Sequence, residues 1–195
     1  MRPTYTTGEV ARILGTHPDT IRNYCDSGEL ETERGILFTH RRIKKESLIA
    51  FLQKRGIPGD VIDRKIPKHI LIVDDEALVR GMIMQSLKML DFPFEIDVAE
   101  NGHQACIQIG YNPPDLIILD LMMPEMDGFQ VLESIRKTEI SKDIPVMVIT
   151  GYGEDENIRR ISGLGVVDVL RKPFSVADIQ NMTIRLLKLA EADKP

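Results

Sequence analysis

Hydrophobic and polar positions divide the chain into two parts with different patterns. From residue 68 onward, short apolar runs alternate five times with longer amphipathic stretches. The runs are 69–73, 94–99, 115–120, 144–150 and 166–170, and the stretches are 76–90, 102–110, 128–138, 154–162 and 175–191. Because uninterrupted apolar runs are typical of parallel strands covered by helices on both faces, this pattern predicts a doubly wound α/β domain with a five-stranded parallel sheet.

The first 56 residues have a mainly helical pattern. Thr6 and Glu9 have the spacing of a capping box, which predicts a helix over residues 9–14. Thr16 and Asp19 have the spacing of a second helix start. The apolar side chains of this second helix share one face, formed by Ile21, Tyr24 and Cys25.

A small hairpin and a third helix are predicted for the rest of this region. A turn at Gly35 joins residues 30–32 to 36–38, and the last helix spans residues 46–54. Residues 57–67 contain Pro and Gly with little periodicity, so we interpret them as a linker. The predicted domains are therefore a small, mainly α domain over residues 1–56 and an α/β domain over residues 68–195.

Composition favours an ordinary globular protein. The 195 residues are 43% hydrophobic and 28% charged, and no apolar stretch approaches the roughly 20 residues of a membrane helix. The N-terminus lacks the apolar core of a signal peptide, so we expect a cytoplasmic protein with no membrane contact. Cys25 and Cys106 lie far apart without metal-ligand spacing, and we interpret both as buried thiols.

Charge is distributed unevenly. Residues 1–63 hold ten Lys and Arg against nine Asp and Glu, whereas residues 64–195 hold fifteen against twenty-one. Seven basic residues fall within residues 34–55, where Glu46 is the one acidic residue. A local basic surface can attract a polyanion even when the whole chain is acidic, because salt confines the interaction to short range.

Chemistry-bearing side chains follow the predicted strands. The first strand ends at Asp74 and Asp75, the third at Asp120, the fourth at Thr150 and the fifth at Lys172. Ligands of open parallel sheets collect at these carboxyl ends. Three converging carboxylates repel one another and call for a cation, and hard oxygen ligands suit Mg²⁺ better than zinc.

This constellation fits phosphoryl transfer, in which positioning and charge neutralisation dominate. We expect Asp120 to be the nucleophile that forms an aspartyl phosphate. Asp75 would ligate Mg²⁺, with Asp74 nearby through water. Lys172 and the Thr150 hydroxyl would contact phosphoryl oxygens. The alternative is that the strand-end aspartates merely cap turns.

Four segments of the α/β region resemble the receiver domain of two-component response regulators over residues 68–191. In order they read ILIVDDE, LIILDLMMPEMDG, VMVITG and VLRKPF. The resemblance implies a flavodoxin-like fold and phosphate taken from a histidine kinase. It also implies Mg²⁺ ligated by Asp75, Asp120 and the backbone carbonyl of Met122.

The region departs from the receiver pattern at one position. Val169 stands three residues before Lys172, where the family commonly has an aromatic switch residue. The family's switch therefore cannot be transferred as it stands; Tyr152 is either an alternative gate or a surface-loop residue. Pro173 is a candidate for a cis peptide bond. The long side chain of Met122 is expected to shield the phosphate from water.

The N-terminal segments YTTGEVARILGTHPDTIRNYCDSGEL and FTHRRIKKESLIAFLQKRGI resemble the winged helix-turn-helix of the MerR and excisionase type over residues 4–56. In such motifs the second helix enters the major groove. The resemblance implies DNA contacts by His17, Thr20, Arg22 and Asn23 from that helix, and by Arg34, His40, Arg41 and Arg42 from the wing. The family often has Gly-Gly before His-Arg-Arg, whereas this chain has residues 37–39 Leu-Phe-Thr, which leaves the wing's shape open.

Some of these residues have plainer alternatives. His17 could cap its helix, His40 could stabilise the wing turn, and the basic run could be a solvated edge. The leading hypothesis is nevertheless a phosphorylation-controlled regulator of transcription that binds double-stranded DNA. One small module binds DNA weakly, so we expect a homodimer whose formation phosphorylation could control. A signalling adaptor with a protein-binding helical module is the alternative. We expect no enzymatic activity beyond self-directed phosphoryl transfer.

Overall fold

The computed structural model describes residues 4–33, 42–62, 67–138, 141–151, 155–166 and 168–189. The fold divides into two units, residues 1–67 and residues 68–195. Several predictions lie outside the described residues: the hairpin strand at 36–38, the gate Tyr152, and the DNA contacts of Arg34, His40 and Arg41.

In the first unit, helices pack against a small antiparallel sheet. The strands are β1 (Thr4–Thr6), β2 (Thr32–Glu33) and β3 (Arg42–Lys44), in the order β1-β3-β2. The helices are α1 (Thr7–Leu14), α2 (Pro18–Asp26) and α3 (Lys45–Lys54), followed by a 3-10 turn over Gly59–Ile62. The predicted helices are thus present.

The caps of α1 and α2 explain where these helices start and end. Thr6 and Glu9 form the predicted capping box. The predicted start of α2 at Thr16 is wrong, because the N-cap is His17, whose Nδ1 accepts from the Asp19 N–H at 3.2 Å. Thr16 instead belongs to the end of α1, where its N–H donates to the Ala11 carbonyl at 2.9 Å.

The three helices, strands β1 and β3 and the 3-10 turn of the first unit contribute to one apolar core. Ile21, Leu30, Ile43 and Leu48 are among its fully buried side chains. Part of the segment interpreted as a linker also packs here. Ile57, Val61 and Ile62 contact this core, because their apolar side chains bury against it although prolines and glycines surround them in sequence.

The second unit contains the predicted alternation of strands and helices. The strands are β4 (Lys68–Val73), β5 (Phe94–Ala99), β6 (Leu116–Asp120), β7 (Val146–Thr150) and β8 (Val169–Arg171). The helices are α4 (Ala77–Lys88), α5 (Gly102–Tyr111), α6 (Gly128–Lys137), α7 (Asp155–Gly163) and α8 (Val176–Leu186). All neighbouring strands are parallel, in the order β5-β4-β6-β7-β8. This confirms the flavodoxin-like fold.

Two apolar cores cover the two faces of the parallel sheet. Alternate residues of β4 enter opposite cores, Leu71 and Val73 on one face and Ile70 and Ile72 on the other. The central strands β6 and β7 are buried along their whole length, which is why they read as uninterrupted apolar runs. Among the described residues, no helix combines the length and apolarity needed to cross a membrane.

Candidate functional site

Sheet register brings the predicted acidic residues together. Val73 of β4 pairs with Leu119 of β6, so the residues that follow, Asp74 and Asp120, lie side by side at the carboxyl ends of the strands. Both side chains are almost fully buried, with residue exposures of 1% for Asp74 and 3% for Asp120. Asp75 is exposed at the same edge. The fold thus concentrates negative charge at one end of the sheet.

Lys172 supplies the cation that faces these carboxylates. Its Nζ donates to Asp120 Oδ2 at 2.7 Å and to Asp74 Oδ2 at 3.1 Å, and it lies 3.5 Å from Glu76 Oε1. Lys172 reaches this position because it follows β8 directly, and its N–H donates to the Thr150 carbonyl at 2.7 Å. The Lys172–Pro173 peptide bond is cis, as predicted.

Burial and charge shift the acid–base properties of this cluster. Burial raises the pKa of Asp74 to about 6, although the Glu76 N–H and Lys172 stabilise its ionised form. Burial also opposes the charge of Lys172, but the hydrogen bonds to Asp120 and Asp74 outweigh it and raise the pKa of the amine. Lys172 is therefore a permanent cation, whereas Asp74 is a carboxylate whose charge is costly to bury.

Backbone contacts fix the two buried carboxylates. Asp120 Oδ1 accepts from the Met122 N–H at 3.0 Å, and Asp74 Oδ1 accepts from the Glu76 N–H at 2.8 Å. Gly128 allows the loop after β6 to approach closely, because a Cβ at this position would lie 2.2 Å from the Asp120 carbonyl oxygen. The loop that shapes the site therefore requires glycine there.

The acidic residues fit a divalent cation. One carboxylate oxygen each from Asp74, Asp75 and Asp120 lies within 4.8 Å of the others. All three are hard oxygen donors of the kind that Mg²⁺ prefers, and their three carboxylates outnumber the single charge of Lys172 that faces them. The ligand role of the Met122 carbonyl stays a prediction.

Thr150 and Val169 lie on neighbouring strands near this end of the sheet. Thr150 is the last residue of β7 and is 3% exposed. Asp120 pairs with Ile149, so Thr150 lies one residue beyond it. Val169 begins β8, pairs with Val148 and packs against the apolar core. The structure thus places an aliphatic, core-facing side chain where the family commonly has an aromatic switch residue.

Two residues that the sequence analysis did not single out contact this site. Glu76 reaches Lys172, and Arg80 of α4 donates to the carbonyl oxygens of Asp74 and Asp75. Arg80 could have been recognised from its spacing. It shares the buried stripe of α4 with Ile83 and Leu87, and a charged residue on such a stripe needs polar partners.

The predicted DNA-contacting residues that are described lie in the first unit. On α2, Asn23 is exposed and Thr20 and Arg22 are half-buried. Arg22 forms an ion pair with Asp19. His17 acts as the N-cap, in agreement with its plainer alternative. Arg42 lies in β3, paired with Thr6 and Glu33 across the sheet.

Comparisons with protein-family models match both units. The response regulator receiver domain matches residues 70–184, and a helix-turn-helix domain matches residues 4–56. The model for the receiver domain covers more than half of the chain.

Curated relatives agree with the receiver match. The phosphate regulon transcriptional regulatory protein PhoB of Pseudomonas aeruginosa is 40% identical over 116 residues, which cover 58% of this chain and 49% of PhoB. The response regulator MprA of a Mycobacterium species is 34% identical over 131 residues, which cover 66% of this chain and 54% of MprA. The chain thus spans about half the length of these relatives.

Solved structures show the same fold. The signal receiver domain of a DNA-binding response regulator (merR) from Colwellia psychrerythraea matches with a TM-score of 0.58 and 31% identity, over 62% of this chain and 98% of that domain. A response regulator receiver protein from Pseudomonas putida matches with a TM-score of 0.56 and 26% identity, over 61% of this chain and 97% of that protein. Fold, site geometry and family match together identify the chain as a member of the response regulator receiver family.

Proposed function

We propose that this protein is a phosphorylation-controlled transcriptional regulator that accepts phosphate on Asp120 from a histidine kinase. The observation that carries the proposal is the contact of the partly buried Lys172 Nζ with the buried carboxylates of Asp120 and Asp74. A cation shared by two buried carboxylates resembles the charge balance that phosphoryl transfer requires, with anionic oxygens neutralised on several sides.

The residues have distinct roles in this proposal. An oxygen of Asp120 attacks phosphorus as the bond to the donor breaks, which leaves an aspartyl phosphate. Lys172 neutralises a phosphoryl oxygen, and the Thr150 hydroxyl donates to another. Mg²⁺, held by Asp75, Asp120 and the Met122 carbonyl with Asp74 nearby, would neutralise charge on the transferred group. The chemistry is self-directed, with no further substrate.

Exposed apolar side chains near the site support a protein as phosphodonor. Leu78 is 89% exposed and Met82 42% exposed, one turn apart on α4 directly after the acidic loop. Met122 lies two residues after Asp120, and Val176, the first residue of α8, lies four residues after Lys172. Both are also exposed. Apolar side chains that surround a charged site favour docking of another protein.

DNA binding by the first unit is supported by its helix-turn-helix match and by α2. The α2 residues Thr20, Arg22 and Asn23 can donate hydrogen bonds to base edges or phosphates. The names of the relatives support transcriptional regulation as the output. A homodimer would supply the second half-site that strong binding needs.

Selection of bound DNA from random duplexes tests this proposal. We expect recovery of one sequence motif with two half-sites, and different recovery with phosphorylated protein than with the Asp120→Asn variant. Binding should weaken steeply with salt and be lost when Arg41→Ala and Arg42→Ala are combined. A protein that shifts no duplex even at low salt would support the adaptor function instead.

A further inference from the structure

Arg80 is a nearly buried arginine that contacts the backbone of the acidic loop. Its Nη1 donates to the carbonyl oxygen of Asp74 at 2.7 Å and to that of Asp75 at 3.0 Å. Its Nη2 donates to Glu100 Oε1 at 2.7 Å. One side chain thus satisfies two successive carbonyl groups of the acidic loop and joins them to the residue that follows β5.

We propose that Arg80 is a positioning residue for the cation site at Asp74, Asp75 and Asp120. This inference rests on the proposed function, because it takes that cluster to bind Mg²⁺. Asp74 and Asp120 are held by burial and by Lys172, but Asp75 is exposed. The direction of the Asp75 carboxylate therefore depends on the backbone of the acidic loop. Arg80 fixes this backbone through the carbonyl oxygens of Asp74 and Asp75.

Such a contact increases the affinity for the metal ion because it reduces the conformational entropy that the loop loses on binding. A loose loop loses conformational entropy when its carboxylate becomes a ligand, and a fixed loop has already lost it. Groups that orient metal ligands typically change metal affinity about 10-fold to 100-fold when removed. Arg80 is in the position of such a group, since it contacts the peptide carbonyl of Asp75.

Glu100 prevents the charge of Arg80 from opposing the cation. An unpaired guanidinium beside the acidic cluster would repel a divalent ion. The contact of 2.7 Å between Arg80 Nη2 and Glu100 Oε1 pairs this charge through the nitrogen that does not contact the loop carbonyls. Arg80 therefore contributes mainly geometry, and the acidic residues retain their attraction for the ion.

Arg136 provides a matched control within the same unit. Its Nη1 donates to the carbonyl oxygens of Lys142 and Ile144 at 2.7 and 3.0 Å, and its Nε donates to that of Leu164 at 3.1 Å. These acceptors lie around the start of β7, at the opposite end of that strand from Thr150. Arg136 thus holds backbone carbonyls as Arg80 does, but away from the acidic residues.

The test is a titration of the full chain with MgCl₂ in the absence of any phosphodonor. Amide chemical shifts of Asp75, Glu76 and Met122 report Mg²⁺ binding, and hydrogen exchange of the same amides reports the loop. We expect wild type and Arg136→Met to bind Mg²⁺ equally. Arg80→Met should bind about tenfold more weakly, with faster exchange at Asp75 and Glu76.

Two further variants separate geometry from charge and from folding. Glu100→Gln keeps an acceptor for Arg80 but leaves its charge unpaired, so the loss of affinity should be smaller and should disappear at high salt. Arg80→Lys keeps the charge but has one nitrogen where the guanidinium uses two, so it cannot hold the loop carbonyls through one nitrogen and Glu100 through another, and it should weaken binding even if Arg80→Met does not fold.

The outcomes distinguish this inference from the proposed function. If wild type binds Mg²⁺ and both Arg80 variants bind it equally well, the positioning role is overturned while the proposed function stands. An equal loss of affinity in Arg136→Met would also overturn it, because the effect would then be general destabilisation. If wild type does not bind Mg²⁺, both fail.

Discussion

The two units of this chain place their charged residues in opposite ways. In the second unit Asp74, Asp120 and Lys172 converge from three strands, and the two carboxylates are withdrawn from water. In the described part of the first unit the charged pairs, such as Arg22 with Asp19 and Arg55 with Glu29, are partly exposed. Burial of converging charges costs free energy, so such a cluster is a candidate functional site. Surface charges are common in any protein and indicate no particular function. The function of the second unit can therefore be inferred from its own residues, whereas the function of the first unit can be identified only together with the molecule that it binds.

The largest effect on stability is expected when Lys172, the cation shared by Asp74 and Asp120, is replaced. Lys172→Met leaves two buried carboxylates without their partner and should lower the free energy of unfolding by about 4 kcal/mol at neutral pH. The measurement is urea unfolding of the full chain without Mg²⁺, followed by circular dichroism and by hydrogen exchange in β6.

Lys137→Met is the surface control for this variant. Lys137 is 78% exposed and pairs with Glu133 one turn away, so its loss should leave unfolding unchanged. If the two lysine variants had equal stability, the buried charge cluster would not hold the unit together as described.

Replacement of the buried Asp74 should raise the free energy of unfolding, the opposite of the effect of Lys172→Met. The pKa of Asp74 is raised to about 6, above its ordinary value of 3.8, so the folded state holds this proton more tightly than the unfolded state. The contribution of Asp74 to stability is therefore lost as pH rises from about 4 through 6. Asp74→Asn should stabilise the Mg²⁺-free protein by about 3 kcal/mol at pH 7 and little at pH 4.

The pH dependence of unfolding checks this sign. Wild type and Asp74→Asn should have similar stability near pH 4 and should diverge through pH 6, with the variant more stable above it. A variant that is less stable than wild type at pH 7 without Mg²⁺ would contradict the argument.

A smaller effect is expected on the surface of the first unit. Asn23 is exposed on α2, so Asn23→Ala should leave folding intact but weaken binding to the selected DNA motif by about 1–3 kcal/mol. Binding to random duplex should change little. Titration of labelled duplexes measures both affinities, and a uniform loss on all sequences would mean that Asn23 contacts phosphate and not a base.

The smallest effect is expected at Met122. It is 66% exposed and lies two residues after Asp120, the proposed phosphoacceptor, where it can shield a phosphate from water. Met122→Asn would place a polar group there and should shorten the lifetime of phosphorylated protein severalfold. The decay of the phosphorylated form after removal of the donor measures this, and an unchanged or longer lifetime would count against shielding.

The sequence predicted the second unit more fully than the first for a physical reason. Uninterrupted apolar runs such as β6 identify parallel strands, and parallel strands bring their carboxyl ends to one edge of the sheet, so the sequence alone predicts that Asp74 and Asp120 lie close together. The place of Arg80 on the buried stripe of α4 indicates that it needs polar partners, but the sequence does not reveal that two of these partners are the backbone carbonyls of Asp74 and Asp75. The start of α2 was placed one residue early, at Thr16, because the amide of Thr16 belongs to the end of α1; His17 as the cap was the alternative, and the structure bears it out. Ile57 and Ile62 were assigned to a linker because prolines and glycines hid their packing.

The most direct test of the account is to locate the phosphoryl group. The full chain is incubated with a small-molecule phosphodonor and MgCl₂, trapped with borohydride, and digested for peptide mass spectrometry. Borohydride reduces an acyl phosphate on aspartate to homoserine. We predict homoserine at position 120 alone, absent when Mg²⁺ is chelated and absent in Asp120→Asn. Conversion at another aspartate in the wild type, or conversion at Asp120 that is unaffected by chelation, would contradict the central claim.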